Sequence, residues 1–597
     1  MDTKNNYLNQ NIKEQLFPID LTAVKVGGEI GRRIDITLHN NLFKINIETD
    51  FLSSFLGKDD KEATYIGIGK LIDTIVRLAK YTNDEKVISL KRHVVSGIIK
   101  AQESDGYIGN MIPENRLIKL WDIHEIGYII YGLLIDYKYF GEKTSLEAAI
   151  KSAEYLIRNW TFIPLDWHKM TKVAIPVALT GLALTMLNLY SITGQNQYLN
   201  FCLEKLQIKN WDPGIIIGRR LYIEGHVYAY LAMCLAQLEL YRQDQDNQLL
   251  KPVMEALNFM TAENGMSITG AVGLVEVWTD DQDGRGDLGE TCATAYQLRI
   301  FDFILRLFGN PRLGDIIERT VYNALFGAQS PDGRLIRYYT PLEGKRRYHN
   351  GDTYCCPNNY RRIISELPSM IYYQTGKGVM INLYTSSDVN ITLTDGINLI
   401  LKQETDYPNS GHIVIQIDPS EPVAFHLMLR IPSWCQKPFI SINGIPSDQT
   451  YSPGSYADIN RIWKAGDKVI LNFPMEWRLV KGRQRQAGRA AVMRGPLLFC
   501  LNPEQNKLIA DLDGADLGQI VIDLKSIEQE PVKDSSVRPD GIGCRIKAGY
   551  TPFAMGNEGN ITLTLTEFAD PDGKCVYFRV PDLSEAVDDE LLGVWNF

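Results

Sequence analysis

The spacing of apolar residues along the chain changes twice. From about residue 8 to 50, alternating segments such as VKVGG (from Val24) and RIDITLHNNLFKINIE (from Arg33) predict strands. From about 62 to 370, apolar residues recur every three or four positions. TYIGIGKLIDTIVRLAKY (from Thr64), HEIGYIIYGLLIDYKYFG (from His124), GHVYAYLAMCLAQLELYRQ (from Gly225) and GETCATAYQLRIFDFILRLFG (from Gly289) are the clearest examples, and they predict helices. Thr144 with Glu147 predicts a capping box, and Gly141, Gly194 and Gly309 stand where helices should end. Roughly ten to twelve helices are expected, many apolar on more than one side. An α/α toroid with inner and outer helices accommodates that better than separate bundles, and its sites lie in the loops at one end of the inner helices. After about 375 the period becomes two, as in VMINLYTSSDVNITL, HIVIQID and GNITLTLTEF, which predicts β-sandwiches. The expected division is 1–30, strands joining a β-sandwich; 31–375, an (α/α)6 barrel; 376–505, a β-sandwich; and 506–597, a C-terminal β-sandwich.

Composition narrows the class. The chain has 597 residues, 45% hydrophobic and 22% charged, with a net charge of −10. That balance gives no support to nucleic-acid binding. The amino-terminal MDTKNNYLNQNIKEQLF has no apolar core, which predicts no signal peptide in the chain as it stands. The longest uncharged stretch, Val173 to Tyr190, is too short and too interrupted to span a membrane and predicts a buried helix instead. Nine cysteines are too few for a disulfide-dense scaffold. Their positions matter more than their number, because Cys355 and Cys356 are adjacent.

Two segments concentrate the chemistry: GLVEVWTDDQDGRGDLGETCATAY, with Glu276, Glu290 and Cys292, and RRYHNGDTYCCPNNYRR, with His349, Cys355 and Cys356. Glu290, Cys292, Cys355 and Cys356 offer one carboxylate and three thiolates, a donor set suited to tetrahedral zinc. The spacing is not finger-like, so two further readings stay open: unrelated buried cysteines, or a vicinal disulfide at Cys355–Cys356. A metal-bound thiolate is a nucleophile that needs no general base. Glu276, among apolar neighbours, suits general acid/base work, and a nucleophile with such a partner is the equipment of a retaining glycosidase. A solvated loop carboxylate is the plainer reading of Glu276, and Asp280, Asp281 and Asp283 compete for its role.

The motifs QESDGYIGN, WDIHEIGYIIYG, GHVYAYLA, GETCATA, IERTVYNALFG and YCCPNNYRR, with LRIPSW and AVMRGPLLFC further on, resemble the β-L-arabinofuranosidase family, glycoside hydrolase family 127. They run along nearly the whole chain, and the pairing of ETCA with CCPxN is specific. The resemblance implies an (α/α)6 barrel with β-sandwich domains and a retaining, exo-acting furanosidase that takes a terminal L-arabinofuranose-like sugar from plant cell-wall glycans. It implies Cys355 as nucleophile, Glu276 as acid/base, and zinc held by Glu290, Cys292, Cys355 and Cys356. His124, His226 and Glu318 resemble sugar-pocket residues, and His349, Arg346 and Arg347 are further candidates for substrate contact.

One departure stands out. Where family members carry an HPxxExAL stretch, this chain has IPVALTGLAL, with Ile175 and Leu179 at the polar positions. Loss of a hydroxyl-binding group should alter specificity. With Arg219, Arg220, Arg346 and Arg347 as a carboxylate clamp, the rival substrate is aceric acid, a branched sugar acid of rhamnogalacturonan II. A non-catalytic carbohydrate-binding protein is a second rival, and a lyase or unsaturated-uronyl hydrolase on the same toroid is a third. The expected partner is an oligosaccharide; a homodimer is implied by the resemblance alone, and the bacterial cytoplasm or periplasm would both suit.

Overall fold

The structure is a computed structural model and describes residues 14–61, 64–160, 175–218, 221–394, 396–510, 517–550 and 559–595. The chain is multidomain, helical in its first part and β-rich after residue 371. The long helices fall where the apolar spacing puts them: Ile68–Thr82, Asp122–Phe140, Lys143–Asn159, Val227–Asp244, Thr291–Phe308 and Cys355–Glu366 among others. Asp122–Phe140 and Val227–Asp244 are buried on nearly every side, so their neighbours cover them all round. Gly141, Gly194 and Gly309 end their helices with φ of 71°, 68° and 65°, the left-handed conformation that glycine adopts without a Cβ clash.

Three expectations about local structure are corrected. Residues 28–41 are helical rather than extended. Their alternation conceals a four-residue period, Ile30, Ile34, Leu38 and Leu42, and all four are buried. Thr144 caps nothing, because the helix begins at Lys143, ahead of it. The apolar stretch near Val173 is two helices, Ile175–Ala178 and Leu182–Thr193, broken at Gly181, whose φ is 87°. Among the described residues no helix is long and apolar enough to cross a membrane.

Helices Ile68–Thr82 and Asp122–Phe140 cross in close contact. A Cβ on Gly69 would lie 2.1 Å from the backbone carbon of Tyr128, and one on Gly132 would lie 2.7 Å from the carbonyl oxygen of Gly69. Backbone cannot yield as a side-chain tip can. Gly69→Ala is therefore expected to cost about 2–3 kcal/mol, the upper end of overpacking effects, read as a lower midpoint in thermal unfolding with the far-UV spectrum unchanged.

Three sheets make up the rest. The first has five strands, in the order Leu16–Pro18, Tyr372–Thr375, Gly378–Ile381, Val423–Ile431, Ser455–Trp463. The second has seven, with Val24–Val26 on the edge next to Ser387–Thr392. The amino-terminal strands thus join two different sheets. The third sheet closes on itself, because Arg489–Arg494 pairs both with Leu497–Leu501 and with Tyr577–Arg579. It is a barrel where a sandwich was expected, and 505/506 falls inside it, since Leu497–Leu501 pairs with Gly559–Glu567. Buried ion pairs tie the helical part to the β-rich part: Arg430 of the first sheet with Asp315 and Glu318, and Arg319 with Asp589 and Glu590 of the C-terminal segment.

Candidate active site

The two chemical segments meet at the starts of two helices. Glu290 is the N-cap residue of helix Thr291–Phe308, and Cys292 lies in its first turn. Cys355 and Cys356 open helix Cys355–Glu366. A third segment fixes them. Thr291 N–H donates to the Tyr338 carbonyl (2.9 Å), and Thr340 N–H to that of Leu288 (2.9 Å), so residues 338–340 run beside 288–291. The positive ends of two helices therefore point at three sulfurs, which favours thiolate.

The ligand atoms of Glu290, Cys292, Cys355 and Cys356 all lie within 4.8 Å of one another. The sulfur of Cys292 is 3.3 Å from that of Cys356, which is 4.0 Å from the sulfur of Cys355 and 3.8 Å from a Glu290 carboxylate oxygen. Tetrahedral zinc with bonds of about 2.3 Å would hold its sulfurs about 3.8 Å apart, so the cluster has the dimensions of a metal site. The sulfur separations exclude a vicinal disulfide, and the nine cysteines are free thiols. The second Glu290 oxygen is buried with no hydrogen-bond partner among the described residues, as a ligand oxygen would be. Burial pushes the Cys292 and Cys356 thiols up, whereas hydrogen bonds from those two thiols hold Cys355 well below the usual range. Cys355 is half-buried; the other three are enclosed.

Glu276 lies beside this cluster, its carboxylate within 4.8 Å of those of Glu290 and the His226 ring. Tyr338 links it to the sulfurs: its hydroxyl donates to Glu276 and stands 3.7 Å from the Cys355 sulfur. Val275 and Glu276 both have positive φ, 49° and 68°. Non-glycine residues hold that conformation at a cost, and such strain concentrates at functional sites. The strain is held by pairing, since Val227 N–H donates to the Glu276 carbonyl (2.9 Å) and Leu274 bonds Val277 in both directions.

His226 Nδ1 accepts from Ala229 N–H at 3.2 Å, which leaves Nε2 to carry the proton of the neutral ring. Burial pushes its imidazole down to about 4. His124 is also buried, its centroid 4.8 Å from that of Tyr128, and burial with the nearby Lys70 charge holds it neutral. Neither His124 ring nitrogen has a hydrogen-bond partner of good geometry among the described residues. His349 stands at the exposed rim, 3.9 Å from the Tyr354 ring.

The remaining expected residues have other partners or fall outside the described residues. Glu318 accepts from Arg430 and Trp434 at the junction with the first sheet. Arg346 is buried against the barrel and donates to the carbonyls of Pro341, Phe568 and Asp570. Arg347 is exposed. Arg219 and Arg220, and the side chain of Ile175, lie outside the described residues. Asp281 and Asp283 pair with Arg485 of the barrel. The structure adds Tyr338 and Lys70, which no motif contains, and Glu125, which follows His124 in WDIHEIGYIIYG. Glu125 accepts from the Ile66 and Gly67 N–H groups, and burial pushes its carboxyl up to about 7. One tyrosine among 30 carries no local signal. Lys70 shares its helix face with Asp73, Thr74 and Arg77, so it too carries no distinct signal in the sequence.

Known proteins share this fold and sequence pattern. Residues 46–369 match the model for the β-L-arabinofuranosidase GH127 catalytic domain, and 378–475 match that for its middle domain. The chain is 24% identical over 497 residues to a non-reducing end β-L-arabinofuranosidase of Bifidobacterium longum, covering 71% of this chain and 73% of the relative. A GH127 β-L-arabinofuranosidase from Geobacillus stearothermophilus T6 superposes with a TM-score of 0.77 at 22% identity, over 93% of this chain and 100% of that one. A second GH127 β-arabinofuranosidase gives 0.80 at 21%, over 96% and 99%. At such identities the structures show the shared fold. With more than half its length matched by the catalytic-domain model, and the cysteine–glutamate cluster inside that stretch, the chain belongs to the β-L-arabinofuranosidase family, glycoside hydrolase family 127.

Proposed function

We propose that this glycoside hydrolase is a retaining, exo-acting furanosidase that releases a terminal β-L-arabinofuranose-like sugar from plant cell-wall glycans. The observation that carries the reading is the single hydroxyl of Tyr338, which touches both Glu276 and Cys355. A nucleophile and an acid/base thus face one place. Glu276 donates its proton to the glycosidic oxygen as that bond to the anomeric carbon breaks. The Cys355 sulfur forms a bond to the same carbon. Glu276 then takes a proton from water, whose oxygen displaces the sulfur, and two inversions give retention. His226 and His124, both neutral, are suited to hydrogen-bond sugar hydroxyls.

Glu290, Cys292, Cys355 and Cys356 would hold zinc, which fits the sulfur spacing and the unpartnered Glu290 oxygen. Zinc supplies deprotonation and orientation of the sulfurs at neutral pH. One zinc per chain is expected by elemental analysis; active protein without zinc would refute the site. Within this reading the helical half is an (α/α)6 toroid, the first two sheets form a sandwich, and the catalytic part ends near residue 370.

The aceric acid reading loses support, because Arg346 is committed to backbone carbonyls. A panel decides: 4-nitrophenyl β-L-arabinofuranoside, the corresponding arabinopyranoside and rhamnogalacturonan II side-chain fragments. Hydrolysis of the furanoside, with the β-anomer released first in the NMR spectrum, is expected. Turnover of the fragments alone would assign the rival substrate, and no turnover of any would leave a binding protein.

A further inference from the structure

We propose that Lys70 is a counter-cation of the cysteine–glutamate centre, its buried ammonium offsetting part of the excess negative charge that three thiolates and a carboxylate place around a divalent metal. The inference rests on the reading that the centre binds zinc.

A dication with three thiolates and one carboxylate carries a net charge of about −2. Three of the four donors are buried, and an unbalanced charge in a water-poor interior is costly. The balancing cation must itself be buried and not already spent on a carboxylate.

Lys70 meets both conditions. It is 0% exposed and lies in the first turn of helix Ile68–Thr82. Its ammonium donates to the hydroxyls of Tyr65 (2.9 Å) and Tyr228 (2.8 Å) and stands 4.3 Å from the centre of the Tyr128 ring. These groups orient the charge and none of them cancels it. Among the buried carboxylates around it, Asp73 is held by Arg77 and Arg362 and Glu366 by Arg299 and Arg77, while Glu125 accepts from the Ile66 and Gly67 N–H groups and burial favours its neutral form. Three arginines thus already share two carboxylates, and Lys70 adds a further positive charge.

The helix starts bring this ammonium toward the sulfurs. Asn358, one turn into the helix that Cys355 opens, donates to the Ile66 carbonyl (3.4 Å), and a Cβ on Gly67 would meet its side-chain nitrogen at 2.4 Å. Lys70 therefore rises from a turn packed directly against the turn that carries Cys355 and Cys356. Burial, with the nearby Arg362 charge, holds the ammonium below its usual range, and the phenol of Tyr296 and the thiols of Cys292 and Cys355 oppose that by favouring its charged form. Tyr65 and Tyr128 also pack on His124, so the same cage borders the sugar-facing histidine.

The test is zinc affinity of the full chain, measured by competition with a chromophoric chelator. Lys70→Met removes the charge and keeps the length; Lys70→Arg keeps the charge. Loss of a partner beyond the ligands typically costs about 10- to 100-fold in metal affinity. Lys70→Met is expected to weaken zinc by that factor and Lys70→Arg by less than about threefold. Zinc held by Lys70→Met as tightly as by the parent would overturn the proposal, as would equal weakening in both variants. If Lys70→Met does not fold by circular dichroism, Tyr228→Phe, which releases one orienting hydroxyl, is expected to weaken zinc by a smaller factor, and unchanged affinity there overturns it. A parent chain that binds no zinc would instead refute the reading beneath.

Discussion

Cys355→Ser is expected to lower kcat by about 10^4-fold or more, the scale on which enzymes lose rate when the nucleophile goes. The structure supplies the reason the loss should be so large. Of the three clustered sulfurs, Cys355 alone is half-exposed, at the start of a helix and beside the Tyr338 hydroxyl that also holds Glu276. A serine hydroxyl there stays protonated at neutral pH and is a poor partner for a soft metal site. Cys292→Ser should differ in kind. Its sulfur is enclosed, so that variant is expected to lose metal and thermal stability along with activity. Steady-state rates with zinc content measured on the same samples separate the two cases. Near-normal turnover by Cys355→Ser would remove it from the nucleophile's role.

Glu276→Gln should lower the rate by about 10^2- to 10^4-fold on a natural glycan, the usual contribution of general acid–base catalysis. The glutamine keeps the length and the contact with Tyr338 but cannot donate the proton that an alkoxide leaving group needs. A 4-nitrophenolate leaves without that help, so the first step should be far less impaired on an aryl furanoside, and the covalent intermediate should accumulate. Added azide, which attacks without a general base, is expected to restore turnover and yield a glycosyl azide. An equal loss on both substrates would assign the carboxylate a positioning role. Asp281 and Asp283, the rivals near in sequence, are tied to Arg485, and asparagine at either should leave the ratio between the substrates unchanged.

Long helices and paired strands are readable because burial imposes a period on the sequence, as in Ile68–Thr82 or Val423–Ile431. Residues 28–41 mislead because a helix with buried Arg33 and Thr37 between its apolar positions looks like alternation. The barrel is hidden for another reason: the pairing of Arg489–Arg494 with Tyr577–Arg579 joins segments far apart in the chain, which no local pattern records. In the site, the adjacent cysteines and the Glu-x-Cys pair are distinctive enough to find. The structure adds what brings them together, two helix starts and the strand-like segment 338–340. Glu318 and Arg346 have their partners outside the cysteine–glutamate cluster for a common reason. A buried charge needs a partner, and theirs lie in the β-domains, in Arg430 and in the carbonyls of Phe568 and Asp570. Motif position alone cannot distinguish a charge facing substrate from one facing a neighbouring domain.

The central claim is that Cys355 becomes covalently attached to the sugar during turnover. Mass spectrometry of Glu276→Gln, quenched with acid while it turns over 4-nitrophenyl β-L-arabinofuranoside, tests this most directly. One pentosyl unit, about 132 Da, is expected on the peptide bearing Cys355. A pentosyl unit on any other residue, or no adduct from protein trapped during its burst, would contradict it.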